Sequence, residues 1–192
     1  MINLLKYEKP EHLMWEVHNW LVAYAVSGEA HDYVEETSIR LRQFAKQQFT
    51  YPFYLYFESY HDATDEILAD TNVPITYKPS GRTVLTQTGR KCFQAEVPTF
   101  TVEIRNENDL NEAFSEWFRY AFDNLFWAIR QTDSITYKNG FPYIELQESE
   151  LILLTEHDAY GFTVVTNRVD LQQENHARKL VEELYVNERQ GG

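Results

Sequence analysis

Residues 135–146 read Ile-Thr-Tyr-Lys-Asn-Gly-Phe-Pro-Tyr-Ile-Glu-Leu. Asn139-Gly140 lies between two short runs of β-branched and aromatic residues. Asn-Gly supplies the two positive φ angles that a two-residue hairpin turn requires. Strands joined by only two residues must run antiparallel, because a parallel pair needs a crossover of a dozen residues or more. This stretch therefore argues for an antiparallel sheet and against a doubly wound fold.

The same pattern recurs on both sides. Downstream, residues 151–155 and 162–167 predict a second hairpin around His157, Asp158, Ala159, Tyr160 and Gly161. Asp170, with Gln173 three residues on, predicts the start of a last helix carrying Ala177, Leu180, Val181 and Leu184, ahead of a frayed Gln190-Gly191-Gly192 tail. Upstream, residues 110–129 carry apolar side chains at helical spacing, and Asp109 with Glu112 resembles a capping box, which predicts one long central helix. Before it, residues 74–77, 83–88, 92–97 and 99–105, punctuated by Pro79-Ser80-Gly81 and Gly89-Arg90, predict a meander of four short strands. Residues 53–60, Phe-Tyr-Leu-Tyr-Phe-Glu-Ser-Tyr, predict a strand that is aromatic on both faces, and residues 62–70 a short helix.

Two helices are expected at the N-terminus. Leu13, Val17, Trp20, Leu21 and Tyr24, after Pro10, recur at three- and four-residue spacing up to Ser27-Gly28. Val34, Leu41, Phe44 and Gln48 follow from an Asp32/Glu35 capping box, ending before Tyr51-Pro52. Helices are not interleaved one per strand, so the expectation is a single α+β domain over residues 1–192: a largely antiparallel sheet packed with two N-terminal helices, one long central helix and a C-terminal helix.

Composition bounds the function. The chain carries 17 Lys+Arg against 30 Asp+Glu, a net charge of -13. Nucleic acids and anionic membranes are bound chiefly through Lys and Arg, so neither is an expected direct partner. No apolar run approaches the ~20 residues of a membrane span, and the N-terminal apolar segment is too short for a signal peptide, so a soluble, cytoplasmic protein is expected. The single cysteine, Cys92, closes no disulfide and reads as a small core residue on a strand.

Three His-Asp doublets occur, His31-Asp32, His61-Asp62 and His157-Asp158, and Glu58 precedes His61 at i, i+3. Imidazole and carboxylate can both ligate metals, which makes a metal-dependent hydrolase using His61, Asp62 and His157 one alternative. The doublets fall at a helix start, a strand exit and a hairpin tip, where Asp is favoured as a cap or turn former, so no metal or other cofactor is expected.

Charge segregation says more. Between Lys46 and Lys78 there is no Lys or Arg, while Glu58, Asp62, Asp65 and Glu66 fall there; between Lys138 and Arg168 there is again none, while Glu148, Glu150, Glu156 and Asp158 do. Residues 71–95 hold no acid and carry +4, leaving -17 on the rest. With 13 tyrosines, aromatic anchors such as Tyr54, Tyr56 and Tyr60 are available to an acidic docking surface. The leading expectation is a non-enzymatic inhibitor that occludes a basic, nucleic-acid-handling site on a partner protein such as a nuclease. It would act as an acidic mimic of nucleic acid, in the manner of an immunity protein or a phage anti-defence protein. A structural or regulatory homo-oligomeric module is the other alternative.

Overall fold

A computed structural model describes residues 3–7, 16–27, 32–69 and 72–188. The chain is α+β. Eleven strands are described: β1 (Asn3–Tyr7), β2 (Glu16–His18), β3 (Val22–Ser27), β4 (Phe53–Glu58), β5 (Ile75–Thr88), β6 (Lys91–Ile104), β7 (Trp127–Arg130), β8 (Thr136–Lys138), β9 (Phe141–Glu145), β10 (Leu151–Thr155) and β11 (Gly161–Thr166). Five helices join them: α1 (Tyr33–Gln48), α2 (Thr64–Ala69), α3 (Glu107–Trp117), α4 (Arg119–Phe122) and α5 (Glu174–Glu188). Eight strands form one antiparallel sheet in the order β1-β3-β11-β10-β7-β4-β6-β5, and β2-β9-β8 form a second, with β2 parallel to β9.

The large sheet is covered on both faces. Phe53, Leu55 and Phe57 of β4 point to one side, where Leu41 and Phe44 of α1 and Phe114, Trp117 and Tyr120 of α3 and α4 pack. Tyr54 and Tyr56 point to the other, onto Ile144 of the small sheet and its flanking residues Ile135 and Leu146. Alternation along a strand sends successive side chains to opposite faces, so Phe53 to Phe57 are apolar or aromatic at every position.

The Asn139-Gly140 hairpin forms, with φ of 53° and 81°. A β-carbon on Gly140 would stand 2.6 Å from the Cβ of Arg82 and 2.9 Å from its Cα. Gly140→Val is therefore expected to destabilise by ~1–3 kcal/mol, through backbone strain and overpacking together. Urea titration checks this, and an unchanged midpoint would contradict the hairpin geometry.

Five expectations about the elements are corrected. Residues 16–27 are strands β2 and β3 joined by a turn at Asn19 (φ 60°), not a helix, so one N-terminal helix precedes β4 among the described residues. Val22, Tyr24 and Val26 of β3 face the helices while Ala23 faces the small sheet, so burial on both sides fills the apolar spacings of a helix and a strand alike. Pro10, Leu13, Gly28, His31 and residues 190–192 lie outside the described residues.

The expected helix over 110–129 stops at Phe122. Asn124 turns the chain in the left-handed region (φ 62°), and Trp127–Arg130 becomes a central strand buried at all four positions. Its cap is Asn106, which accepts from the N–H groups of Asn108 (2.9 Å) and Asp109 (3.1 Å), while Asp109 accepts from Arg105.

The expected four-strand meander is a single long ribbon, β5–β6, with Pro79-Ser80-Gly81 forming a bulge between Pro79 and Thr83. Proline is tolerated there because β5 is an edge strand. Asp170 lies in a 3-10 turn (Val169–Gln172) before α5 instead of capping it.

Candidate functional site

Glu58 and Glu150, expected on a docking surface, lie inside the molecule. Glu58 ends β4 on the small-sheet side and is 1% exposed. Its Oε2 accepts from Arg82 (2.5 Å) and from the N–H of Phe126 (3.2 Å), while Oε1 has no partner among the described residues. Burial pushes this carboxyl up, against the opposing pull of Arg82 and Phe126. The Tyr137 phenol is raised too, by burial first and then by the Glu58 charge. A carboxyl and a phenol can both move protons, but the Glu58 carboxyl is buried. The cluster fastens β4, the base of the β5–β6 ribbon and the β8–β9 hairpin together.

Glu150 is matched by Arg130 in a two-point fork, Nε to Oε1 at 2.7 Å and Nη2 to Oε2 at 2.6 Å, and also accepts from Gln147 N–H and Thr132. Tyr56 is likewise interior, its hydroxyl donating to the Thr132 carbonyl (2.9 Å) and accepting from Ser134 N–H (2.9 Å). Tyr54 is half-buried against the same cluster. The sequence did hold a signal for Glu58: it shares a strand face with Tyr54 and Tyr56 at i, i+2 and i+4, so it is buried wherever they are.

The remaining candidates are sorted by strand register. Phe57 pairs with Trp127, Ala128 with Leu154 and Thr155 with Phe162, so Glu58, Phe126 and Glu156 align along one end of the large sheet. Glu148 precedes β10 and is exposed at the opposite end, about 17 Å or more away at ~3.3 Å per strand residue. The eleven candidates are therefore not one surface.

The end bearing Glu156 does gather charge and aromatic surface. Asp62, Asp65 and Glu66 are exposed on and before α2, Asp123 is exposed after α4, and Glu156 and Asp158 are half-buried on the β10–β11 connection. Tyr60 (47% exposed), Phe122 and Tyr160 (53%) stand out among them. Tyr60 meets Tyr120 edge-on at 6.3 Å. Arg119 lies over the Tyr120 ring at 5.0 Å and reaches Glu66 at 3.5 Å. Glu156 accepts from the Thr163 hydroxyl.

The connection itself is held in an uncommon shape. Asp158 and Ala159 both have positive φ (56° and 51°), and Asn124 bonds Asp158 in both directions at 2.6 Å, amide to carboxylate and backbone N–H to amide oxygen. The Asn124 hydrogen bond, with His157 beside it, holds the Asp158 carboxyl below the usual carboxylate range. Ala159 is fully buried, so the loop is pinned at its middle while His157 and Tyr160 point outward. Asp123, Asn124 and Phe122 escape a sequence reading that runs a buried helix through them; the Asp-Asn pair at 123–124 is the available stop signal.

The metal-hydrolase alternative finds no support in the geometry. His61 packs its ring against Phe93 (5.4 Å), and His157 pairs with its neighbour Asp158 (3.0 Å). Among the described residues no three His, Cys, Asp or Glu side chains converge to hold a metal. Cys92, expected in the core, is exposed on the ribbon. No described helix is long and apolar enough to cross a membrane. No protein-family model, curated protein or solved structure matches the chain.

Proposed function

We propose that this chain is a non-catalytic inhibitor that docks the acidic end of its sheet on a basic site of a partner protein, such as the nucleic-acid-binding site of a nuclease. The observation that carries this reading is the exposure of Tyr60, Phe122 and Tyr160 among Asp62, Asp65, Glu66, Asp123 and Asp158. Large aromatic side chains left in water among mostly acidic neighbours are suited to a binding surface, since desolvated aromatics hold a complex together while charge steers the encounter. A lone exposed thiol at Cys92 suits a reducing compartment, and the cytoplasm is the proposed setting.

Capture from host lysate, quantified by mass spectrometry, tests the reading. The wild-type chain is expected to enrich a protein with a basic active-site surface. Asp62→Lys/Asp65→Lys/Glu66→Lys is expected to weaken that binding at least ~10-fold, mainly through a slower on-rate, with each exposed reversal changing stability by less than ~0.5 kcal/mol. Arg90→Glu/Lys91→Glu is expected to bind as well or better. Equal capture by the acidic-end variant, with loss in the Arg90/Lys91 variant, would give the docking surface the opposite sign.

A further inference from the structure

The β5–β6 ribbon has a feature that its place in the sheet does not require. Glu58, the last residue of β4, pairs with Thr99 of β6, so the part of β6 before Pro98 has, among the described residues, no strand beside it other than β5. From Thr83↔Glu96 to Thr88↔Lys91 the two strands pair only with each other, reaching about 20 Å past the sheet at ~3.3 Å per residue. This arm leaves the sheet at the same end as Tyr60, Asp62 and Asp158. Its base is fixed by Arg82 on Glu58 and on the Phe141 ring, and its inner side rests on His61 through Phe93.

Beyond that base the arm is apolar and basic. Leu85 is 75% exposed, and Val84 and Phe93 are exposed large hydrophobics. Lys78 and Arg82 are neutralised within the chain by Asp133 and Glu58, but Arg90 and Lys91 at the tip are exposed. Neither pairs with a carboxylate among the described residues. A two-stranded ribbon is marginal in water by itself, and an edge strand carrying exposed Leu and Val is normally covered or guarded.

We infer that the arm docks on a second copy of this chain, its basic tip and Leu85 lying against the acidic, aromatic end formed by Tyr60, Asp62, Asp65, Glu66 and Phe122. Two observations select a second copy as the occupant. The arm carries one acid, Glu96 at its base, in a chain that is otherwise strongly acidic, so the surface that complements its basic tip belongs to the same molecule. Arm and acidic end also share one end of the sheet, so a two-fold axis through that end seats each arm on the other copy's acidic end, and both contacts form at once. Such an arrangement is isologous and closes as a dimer rather than growing into a filament. Attraction between opposite surface charges makes the dimer salt-sensitive.

The inference does not depend on the partner reading, because it is read from mass and not from capture. The experiment is sedimentation equilibrium of the full chain at low and high salt. The wild-type chain is expected to be dimeric at about 50 mM salt and to shift toward monomer at about 500 mM, where the screening length is several-fold shorter. Arg90→Glu/Lys91→Glu and, separately, Asp62→Lys/Asp65→Lys/Glu66→Lys are each expected to raise the dimer dissociation constant at least ~10-fold. Leu85→Asp is expected to weaken it as well. Mixing the two charge-reversed variants in equal amounts is expected to restore the dimer, because each acidic arm then faces a basic end and each basic arm an acidic one. Thermal unfolding of each variant verifies that it is folded. A wild-type monomer at low salt, a dimer indifferent to both reversals, or a mixture that stays monomeric would each overturn the inference.

Discussion

Arg130→Ala is expected to lower stability by ~3–5 kcal/mol at pH 7, measured by urea denaturation. The side chain is fully buried (0% exposed) and supplies both bonds of the fork to Glu150. Removing one member of a buried pair leaves the other charge without compensation. The fork also bonds the Glu145 carbonyl through Nη2, so the loop joining β9 to β10 loses its tie to β7. Replacing both partners together, as Arg130→Met/Glu150→Leu, is expected to recover part of the loss, since no buried charge then remains.

The loss should depend on pH in a stated direction. Burial by itself would raise the Glu150 carboxyl, but the hydrogen bonds from Arg130, Gln147 N–H and Thr132 outweigh it and hold the group below its ordinary value. A carboxyl depressed in the folded state contributes stability above its unfolded pKa and loses it as pH falls through the folded value. Without Arg130 the balance reverses: burial prevails, the carboxyl rises, and the folded variant gains relative stability as pH falls. The gap between wild type and Arg130→Ala is therefore expected to be widest at neutral pH and to narrow toward about pH 4. A gap that is constant with pH would mean that the charge on Glu150 is not what Arg130 holds.

Phe57→Ala is expected to be as severe, at ~3–5 kcal/mol, for an apolar reason. Phe57 is fully buried at the centre of the helix side of the sheet, stacked with Phe100 at 5.1 Å, Trp117 at 5.4 Å and Tyr120 at 5.5 Å. Truncation removes the transfer energy of the ring and leaves a cavity among rigid neighbours that cannot collapse into it. Phe57→Leu is expected to cost visibly less. The urea midpoint should fall with an unchanged slope, and a fall of under ~1 kcal/mol would show that the stack relaxes freely.

Legibility of the chain varied with what each stretch needed from the rest of the molecule. Asn139-Gly140 is self-contained, because the two positive φ angles are a local demand that only a few residue types meet without strain. The β10–β11 hairpin and α1 were legible for a similar reason: turn chemistry bounds the one, and a helical stripe with a polar back face marks the other. Residues 16–27 and 127–130 were not. Trp127-Ala128-Ile129-Arg130 follows a helical apolar pattern in phase, and only the reversal at Asn124 and the neighbours β4 and β10 make it a strand. At the candidate site, counting acids located the charge but not its depth. Glu58 and Glu150 counted like Asp62 until Arg82 and Arg130 were placed beside them.

What the sequence determined by itself is the set of local decisions: the hairpin turns, the α+β class, and the separation of a strongly acidic chain from an acid-free segment. The tertiary structure alone decided which carboxylates face water, that the basic end of the acid-free segment is the tip of a projecting arm, and that the arm and an acidic end share one end of the sheet. The physical reason lies in the two covered faces of the large sheet. Hydrophobic periodicity tells inside from outside only when one face of an element meets water. A strand buried on both sides has no polar face to mark its period, and a charge within it is distinguished only by the partner that the fold brings from far along the chain.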